Sequence, residues 1–381
     1  MRLLVSTTIR KVTAKERSGY LYTVDLEHQE VIRRSCTIEP PYRSADANPR
    51  GGMRGSKGIA IRSDIVAITN TSSIFLYDRD WNLLHTITHP SCAGIHDIGF
   101  QKNSIWVATS RSDTINQFDF DGNLLNYIYF RESSYLRKKL KWYPPIRLTS
   151  EQIYQGEIDF RDPRTYEIET YDNAHVNSIS CLDKGDLLVS IGLIQKNNFL
   201  ILLRIKTWLK RKELWDSFYS LNRMIRRVFR RPKNMHSDLI FQPAKGSSAV
   251  LRISKDKEMR LLFSMDEKMV PSHSILHLSD KQSIYLDTSN GIVIEFNPVT
   301  GEILTSTKVT DGFLRGSVLV SESTLVMGSN SELIIFNLNE HSVQGRIQIS
   351  DIPHESIFDI EVLPSSYDLP PRDFNEKMSN N

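Results

Sequence analysis

The chain has 381 residues, 40% of them hydrophobic and 24% charged, with a formal net charge of +3. These values exclude disorder, a collagen-like repeat and a many-span membrane protein, and they fit a globular chain of one large or two medium domains. No window reaches the roughly 18 apolar residues of a membrane-crossing helix, and the apolar run after Met1 is too short for a secretory leader, so a cytoplasmic protein is expected.

Taken in chain order, three strands come first: Leu3 to Thr8, Tyr20 to Asp25 and Val31 to Thr37. A repeat follows. Ile65 to Leu84 (IVAITNTSSIFLYDRDWNLL) resembles Ile105 to Leu125, Ile284 to Leu304 and Leu325 to Gly345. Each copy reads strand, polar turn, strand, tight turn, strand. A further short apolar run stands ahead of each, at Gly58 to Ile61, Ile95 to Phe100, Ile275 to Leu278 and Gly316 to Val320. A diverged fifth copy spans His175 to Phe263, with Val176 to Leu182 as its leading run. Four strands in a unit of about 40 residues is the pattern of a propeller blade. One strand remains at the other end of the chain, Ile357 to Leu363. Joined to the three N-terminal strands it makes a sixth blade, so an all-β, six-bladed propeller closed by both termini is expected over residues 1–366. Residues 367–381 read as a polar tail, and a β-sandwich or two smaller β domains is the weaker alternative.

Three long insertions interrupt the blades, at 39–54, 131–173 and 193–247, and all map to the face where the innermost strands begin. The third has a helical period: Leu214, Phe218, Leu221, Ile225 and Val228 recur at spacings of four and three, flanked by arginines. It reads as an amphipathic basic helix over 206–231 in blade three. It packs on the rim or meets an anionic membrane surface or an acidic protein partner, which would make the protein peripherally membrane-associated. Nucleic acid is not expected as a partner, because the overall charge is near neutral. Cys36, Cys92 and Cys181 are odd in number and far apart, which offers neither a disulfide framework nor a CxxC motif.

The starts of the innermost strands carry the chemistry. They read GIHDI (His96), AHVNSI (His175), PSHSIL (His273), LRGSV (Arg315) and PHESI (His354), with MRGSKGI bringing Arg54 or Lys57 in blade one. Any one of these histidines can simply cap a strand in a polar channel. Several converging on one axis would present donors and titratable imidazoles in a concave space suited to an anion.

GIHDIGF (Gly94 to Phe100) and DNAHVNSISCLDKGDLLVS (Asp172 to Ser190) resemble the H-D-I and H-x-N-S-I segments of arylsulfotransferase-like propellers, most clearly over blades two to four. The resemblance implies transfer of a sulfuryl group from an aryl sulfate to an alcohol or phenol through a sulfated histidine. His96 and His175 match motif positions and Asn177 matches the family's asparagine. His273 and His354 match by blade position alone. Arg315, Arg54 and Asn177 are then the expected substrate-binding residues, the four histidines the catalytic ones, and a small anionic or phenolic molecule the ligand. No cofactor and no metal are expected on this reading. Two others stand beside it: an imidazole-ligated metalloenzyme, with Asp97, Asp359 and Glu355 as the near carboxylates, and a non-catalytic interaction propeller.

Overall fold

The computed structural model describes residues 1–46, 53–142, 144, 148–165, 174–194, 208–209, 212–214, 217, 220, 246–268 and 270–378. The basic segment 206–231 therefore lies almost wholly outside the described residues. No helix among the described residues is long and apolar enough to cross a membrane.

Six four-stranded antiparallel sheets form the blades of a propeller. The chain opens with β1 (Arg2–Ile9), β2 (Tyr20–Asp25) and β3 (Glu30–Cys36). Blade one follows as β4 (Ile59–Arg62), β5 (Ile65–Thr69), β6 (Ile74–Tyr77) and β7 (Leu83–Ile87). Blade two is β8 (Ile95–Gln101), β9 (Ser104–Thr109), β10 (Thr114–Asp119) and β11 (Leu124–Tyr129). Two short helices follow it, α1 (Ser134–Leu140) and α2 (Ser150–Tyr154), and then blade three: β12 (Val176–Cys181), β13 (Leu187–Ile194), β14 (Gly246–Ile253) and β15 (Met259–Lys268). Blade four is β16 (His273–Ser279), β17 (Gln282–Asp287), β18 (Ile292–Phe296) and β19 (Ile303–Lys308). Blade five is β20 (Leu314–Ser321), β21 (Thr324–Ser329), β22 (Glu332–Asn337) and β23 (Ser342–Gln348). β24 (Glu355–Leu363) pairs along β1 and completes the sixth blade in the order β24-β1-β2-β3.

The burial pattern explains why these segments are strands. The second strand of a blade is covered on both faces by neighbouring blades, and β9 (SIWVAT) is accordingly buried at every residue. Outer strands face water on one side, and in β19 (ILTSTK) the half-buried Thr305 and Thr307 alternate with exposed Leu304, Ser306 and Lys308.

One turn recurs in all six blades, between the third and fourth strands. Asp78 accepts from the backbone of Asp80 and Asn82, and Asp119 from Asp121 and Asn123. Asn297 accepts from Val299 and Thr300, Asn337 from Asn339 and Glu340, and Asp25 from Glu27 and His28. In blade three Ser254 does the same work for Glu258. An Asx or serine side chain thus closes each turn by imitating a backbone acceptor.

Residues 367–378 correct the expectation of a polar tail. Tyr367 and Phe374 are buried to 2% and 1% exposure. Phe374 packs on Tyr77 and Trp81, and Tyr367 on Trp81. The Trp81 indole donates to the Asp368 carbonyl at 2.8 Å, and Cys36 N donates to the Arg372 carbonyl at 2.8 Å. The segment, ending in α3 (Phe374–Met378), straps blade six to blade one.

Candidate functional site

Five of the six innermost strands, all but β4, share an irregularity that fixes where each side chain points. In β8 the pairing passes from Ile95 to Asp97, in β12 from Val176 to Ser178, in β16 from His273 to Ile275, and in β20 from Arg315 to Ser317. In β24 it passes from Ile357 to Asp359. One residue is left out of the ladder each time: His96, Asn177, Ser274, Gly316 and Phe358. Such bulges re-aim side chains, here toward the axis.

Three imidazoles converge there. One nitrogen from each of His96, His175 and His273 lies within 4.8 Å of the other two. Ring centroids are 4.7 Å apart for His96 and His175, 5.6 Å for His175 and His273, and 6.0 Å for His96 and His273. The three reach this point from unequal positions. His96 is the bulged residue, His273 stands one residue before the bulge, and His175 two before it with a left-handed φ of 48°. All three nevertheless lie at or near the start of an inner strand, where the sequence places them.

His354 does not join them. It is exposed, four residues ahead of the bulge in its strand, and the axial place in blade six belongs to Phe358, whose ring lies 5.5 Å from that of His96. Glu355 is also spent elsewhere: Thr7, Tyr22 and Ser350 all donate hydrogen bonds to its carboxylate.

Cations flank the imidazoles. Arg315 is 8% exposed and its guanidinium carbon lies 3.3 Å from the Phe358 ring centroid, while the Lys57 ammonium, 5% exposed, lies 5.3 Å from the same ring. Burial, and then the facing Arg10 and Arg54, lower the pKa of Arg315, yet a guanidinium keeps its proton under these conditions. Arg54 is held at its backbone by Thr71. Burial first, and then Lys57 and the neighbouring rings, push His96 well below the usual imidazole value. Burial and then Arg315 do the same to His273. Both rings are therefore neutral at pH 7.

The tautomer of His96 is fixed. Its Nδ1 lies 2.8 Å from the Gly94 carbonyl, which can only accept, so Nδ1 carries the proton and Nε2 keeps a lone pair. His273 Nδ1 approaches the Thr288 hydroxyl at 3.3 Å. Asn177, 3% exposed, donates through Nδ2 to the Ser272 carbonyl, while its Oδ1 has no hydrogen-bond partner among the described residues.

A cavity of about 230 Å³ runs along the axis from His96, His273, Arg315 and Phe358 past Asp97 and Asp359 to Glu361. Of the carboxyls at its far end, sequence names Asp97 and Asp359 as possible neighbours of the imidazoles and passes over Glu361. Their work is different. Asp97 accepts from Ser178 Oγ at 2.7 Å and Ile179 N at 2.9 Å, clasping blade two to blade three. Asp359 accepts from Ile59 N at 2.8 Å, clasping blade six to blade one. Burial raises the pKa of Asp97 to about 6 and that of Glu361 to about 8, and holds Asp359 well above the carboxylate range with Asp97 and Glu361 adding to the effect. Phe358 and the Asp359 clasp carried no signal in sequence beyond their place in a strand.

No protein-family model matches the chain, and no curated protein matches it in sequence. Solved structures do. A chain of the nidogen/laminin complex superposes with a TM-score of 0.52 at 10% identity, covering 94% of this chain and 97% of that one. A protein of unknown function from Bacteroides caccae gives 0.51 at 10% identity, with the same coverage. Virginiamycin B lyase from Staphylococcus aureus, in its catalytically inactive form with quinupristin, gives 0.44 at 10% identity over 84% of this chain. At such identities the likeness of the first two shows the six-bladed propeller fold and nothing of the activity.

Proposed function

We propose that the axial channel is an active site for a small anionic or phenolic molecule. The observation that carries this reading is the grouping of three imidazoles, two of them held neutral by burial, beside the buried cations Arg315 and Lys57. Buried cations in a water-poor channel attract negative charge, and a neutral imidazole accepts a proton or a group at its lone pair.

The finer form of the proposal is sulfuryl transfer, supported by the two short motifs. In that form an imidazole nitrogen attacks sulfur, the bond from sulfur to the aryl oxygen breaks and phenolate leaves. An acceptor hydroxyl then attacks sulfur, its proton passes to the phenolate, and the bond from sulfur to nitrogen breaks to free the imidazole. Asn177 Oδ1 stands ready to accept a hydrogen bond from a ligand hydroxyl.

The test is to measure turnover of chromogenic aryl sulfates and binding of sulfate, vanadate and phenols, in the unaltered chain and in His175→Gln. His175→Gln should keep the melting temperature within a few degrees and lose at least 100-fold in turnover or affinity. Absence of any channel ligand, or an unchanged His175→Gln, would leave an interaction propeller as the better account. The protein-complex setting of one structural neighbour is compatible with such a role.

A further inference from the structure

A single neutral histidine suffices to carry a transferred group, so three in mutual contact call for a further explanation. Donors no more than 4.8 Å apart fit on a circle of radius at most about 2.8 Å, and a zinc ion at its centre needs each nitrogen at about 2.0–2.1 Å. A side-chain adjustment of under about 1 Å per ring closes that difference, within what small χ rotations allow, and His96 and His175 are only half-buried. His96 is already set as a ligand: its Nδ1–H is anchored on the Gly94 carbonyl, the outer contact that orients metal-binding imidazoles and leaves Nε2 to coordinate. His273 has the Thr288 hydroxyl beside its Nδ1 in the corresponding role.

We propose that His96, His175 and His273 hold one divalent first-row transition metal ion, with a coordination position open to the channel. The inference rests on reading the channel as a ligand site and specifies what the imidazoles do there. Three nitrogen donors without thiolate suit Zn²⁺, Fe²⁺ or Cu²⁺ rather than Mg²⁺ or Ca²⁺, which take oxygen. Arg315 and Lys57 would oppose a bare dication. They favour one whose open position carries an anionic oxygen, which is the ligand class the channel already suits. With all three lone pairs on the metal, no imidazole is left to carry a sulfuryl group, so the metal reading and the covalent reading are separable.

The full chain, stripped with a chelator, is titrated with ZnCl₂ by calorimetry, and bound metal is counted by elemental analysis after gel filtration. One Zn²⁺ per chain is expected. His96→Ala and His273→Ala should each weaken binding at least 100-fold, while His354→Ala, an exposed histidine outside the cluster, should leave it unchanged. Substitution with Co²⁺ gives a second readout, a visible band of tetrahedral intensity that disappears in His175→Gln. Circular dichroism melts verify that each variant is folded, and His96→Gln replaces any alanine variant that is not.

Less than one Zn²⁺ per chain, or binding that survives His96→Ala and His273→Ala, overturns the proposal. Vanadate binding by the metal-free chain with no Zn²⁺ uptake would sink the metal and leave the anion channel standing. Zn²⁺ uptake with no anion bound in either form would do the reverse.

Discussion

The two ends of the channel are built from the same inner strands, yet they use their polar side chains differently. At the carboxyl end Asp97 and Asp359 accept backbone N–H groups from the next blade, so their oxygens are spent on closing the ring. At the imidazole end His96 is anchored on Gly94, His273 lies beside Thr288, and the rings face one another across the axis. His96 and Asp97 are adjacent in the chain, and the bulge at His96 is what separates the two uses. A buried polar group tied into the scaffold should fail by unfolding when removed, and one left facing a channel should fail by losing its ligand.

The largest effect is expected where the seam closed from inside by Asp359 is strapped from outside. Deleting residues 367–381 removes the burial of Tyr367 and Phe374 and opens the Trp81 face, and should cost about 4 kcal/mol in urea unfolding after the entropy of the freed segment is credited. A loss under 1 kcal/mol would show that the strap adds nothing to closure.

Next in size is Asp359→Ala, which leaves the backbone donors of Ile59 and Ile360 without their acceptor and should cost about 3 kcal/mol. Burial and then the neighbouring carboxyls raise the pKa of Asp359 well above the carboxylate range, and Asp359→Asn keeps one of the two acceptor oxygens in use, so it should cost less. Equal losses from the two substitutions would mean that the one retained oxygen does not hold the seam.

The smallest effect is a pH dependence at Glu361, whose oxygens accept no side-chain clasp. Its pKa is raised from 4.5 to about 8 in the folded chain, chiefly by burial and then by Asp97. The folded state thus binds a proton that the unfolded state has released, and stability falls as pH rises from 4.5 through 8. Glu361→Gln cannot ionise, so its melting temperature should match the unaltered chain at pH 5 and exceed it by a few degrees at pH 8.5. A difference that does not change with pH would place Glu361 in water rather than in the channel.

How far sequence revealed this depended on repetition. Four of the six Asx turns were visible as repeats, at Asp78, Asp119, Asn297 and Asn337. Asp25 was hidden because its blade is split between the termini, and Ser254 because a serine replaces the Asx residue. The three clustered histidines were legible from their place near strand starts. Their register was not, because a bulge adds a residue without changing the hydrophobic pattern. For the same reason His354 was grouped with them, while Phe358, the residue that occupies the axis, read as one more core aromatic. The strap was missed because Tyr367 and Phe374 stand among prolines and charges with no period to betray their burial.

The closing strand also bears on how the molecule is made. β1 leaves the ribosome long before its inner neighbour β24, with blades one to five made in between. Blades one to five can assemble in the order of synthesis, but throughout that time β1 presents a bare hydrogen-bonding edge, the feature that recruits foreign strands. The slow, exposed interval in the life of this chain is therefore the wait for residues 355–363, and a nascent chain stalled before them would be the species most in need of a chaperone.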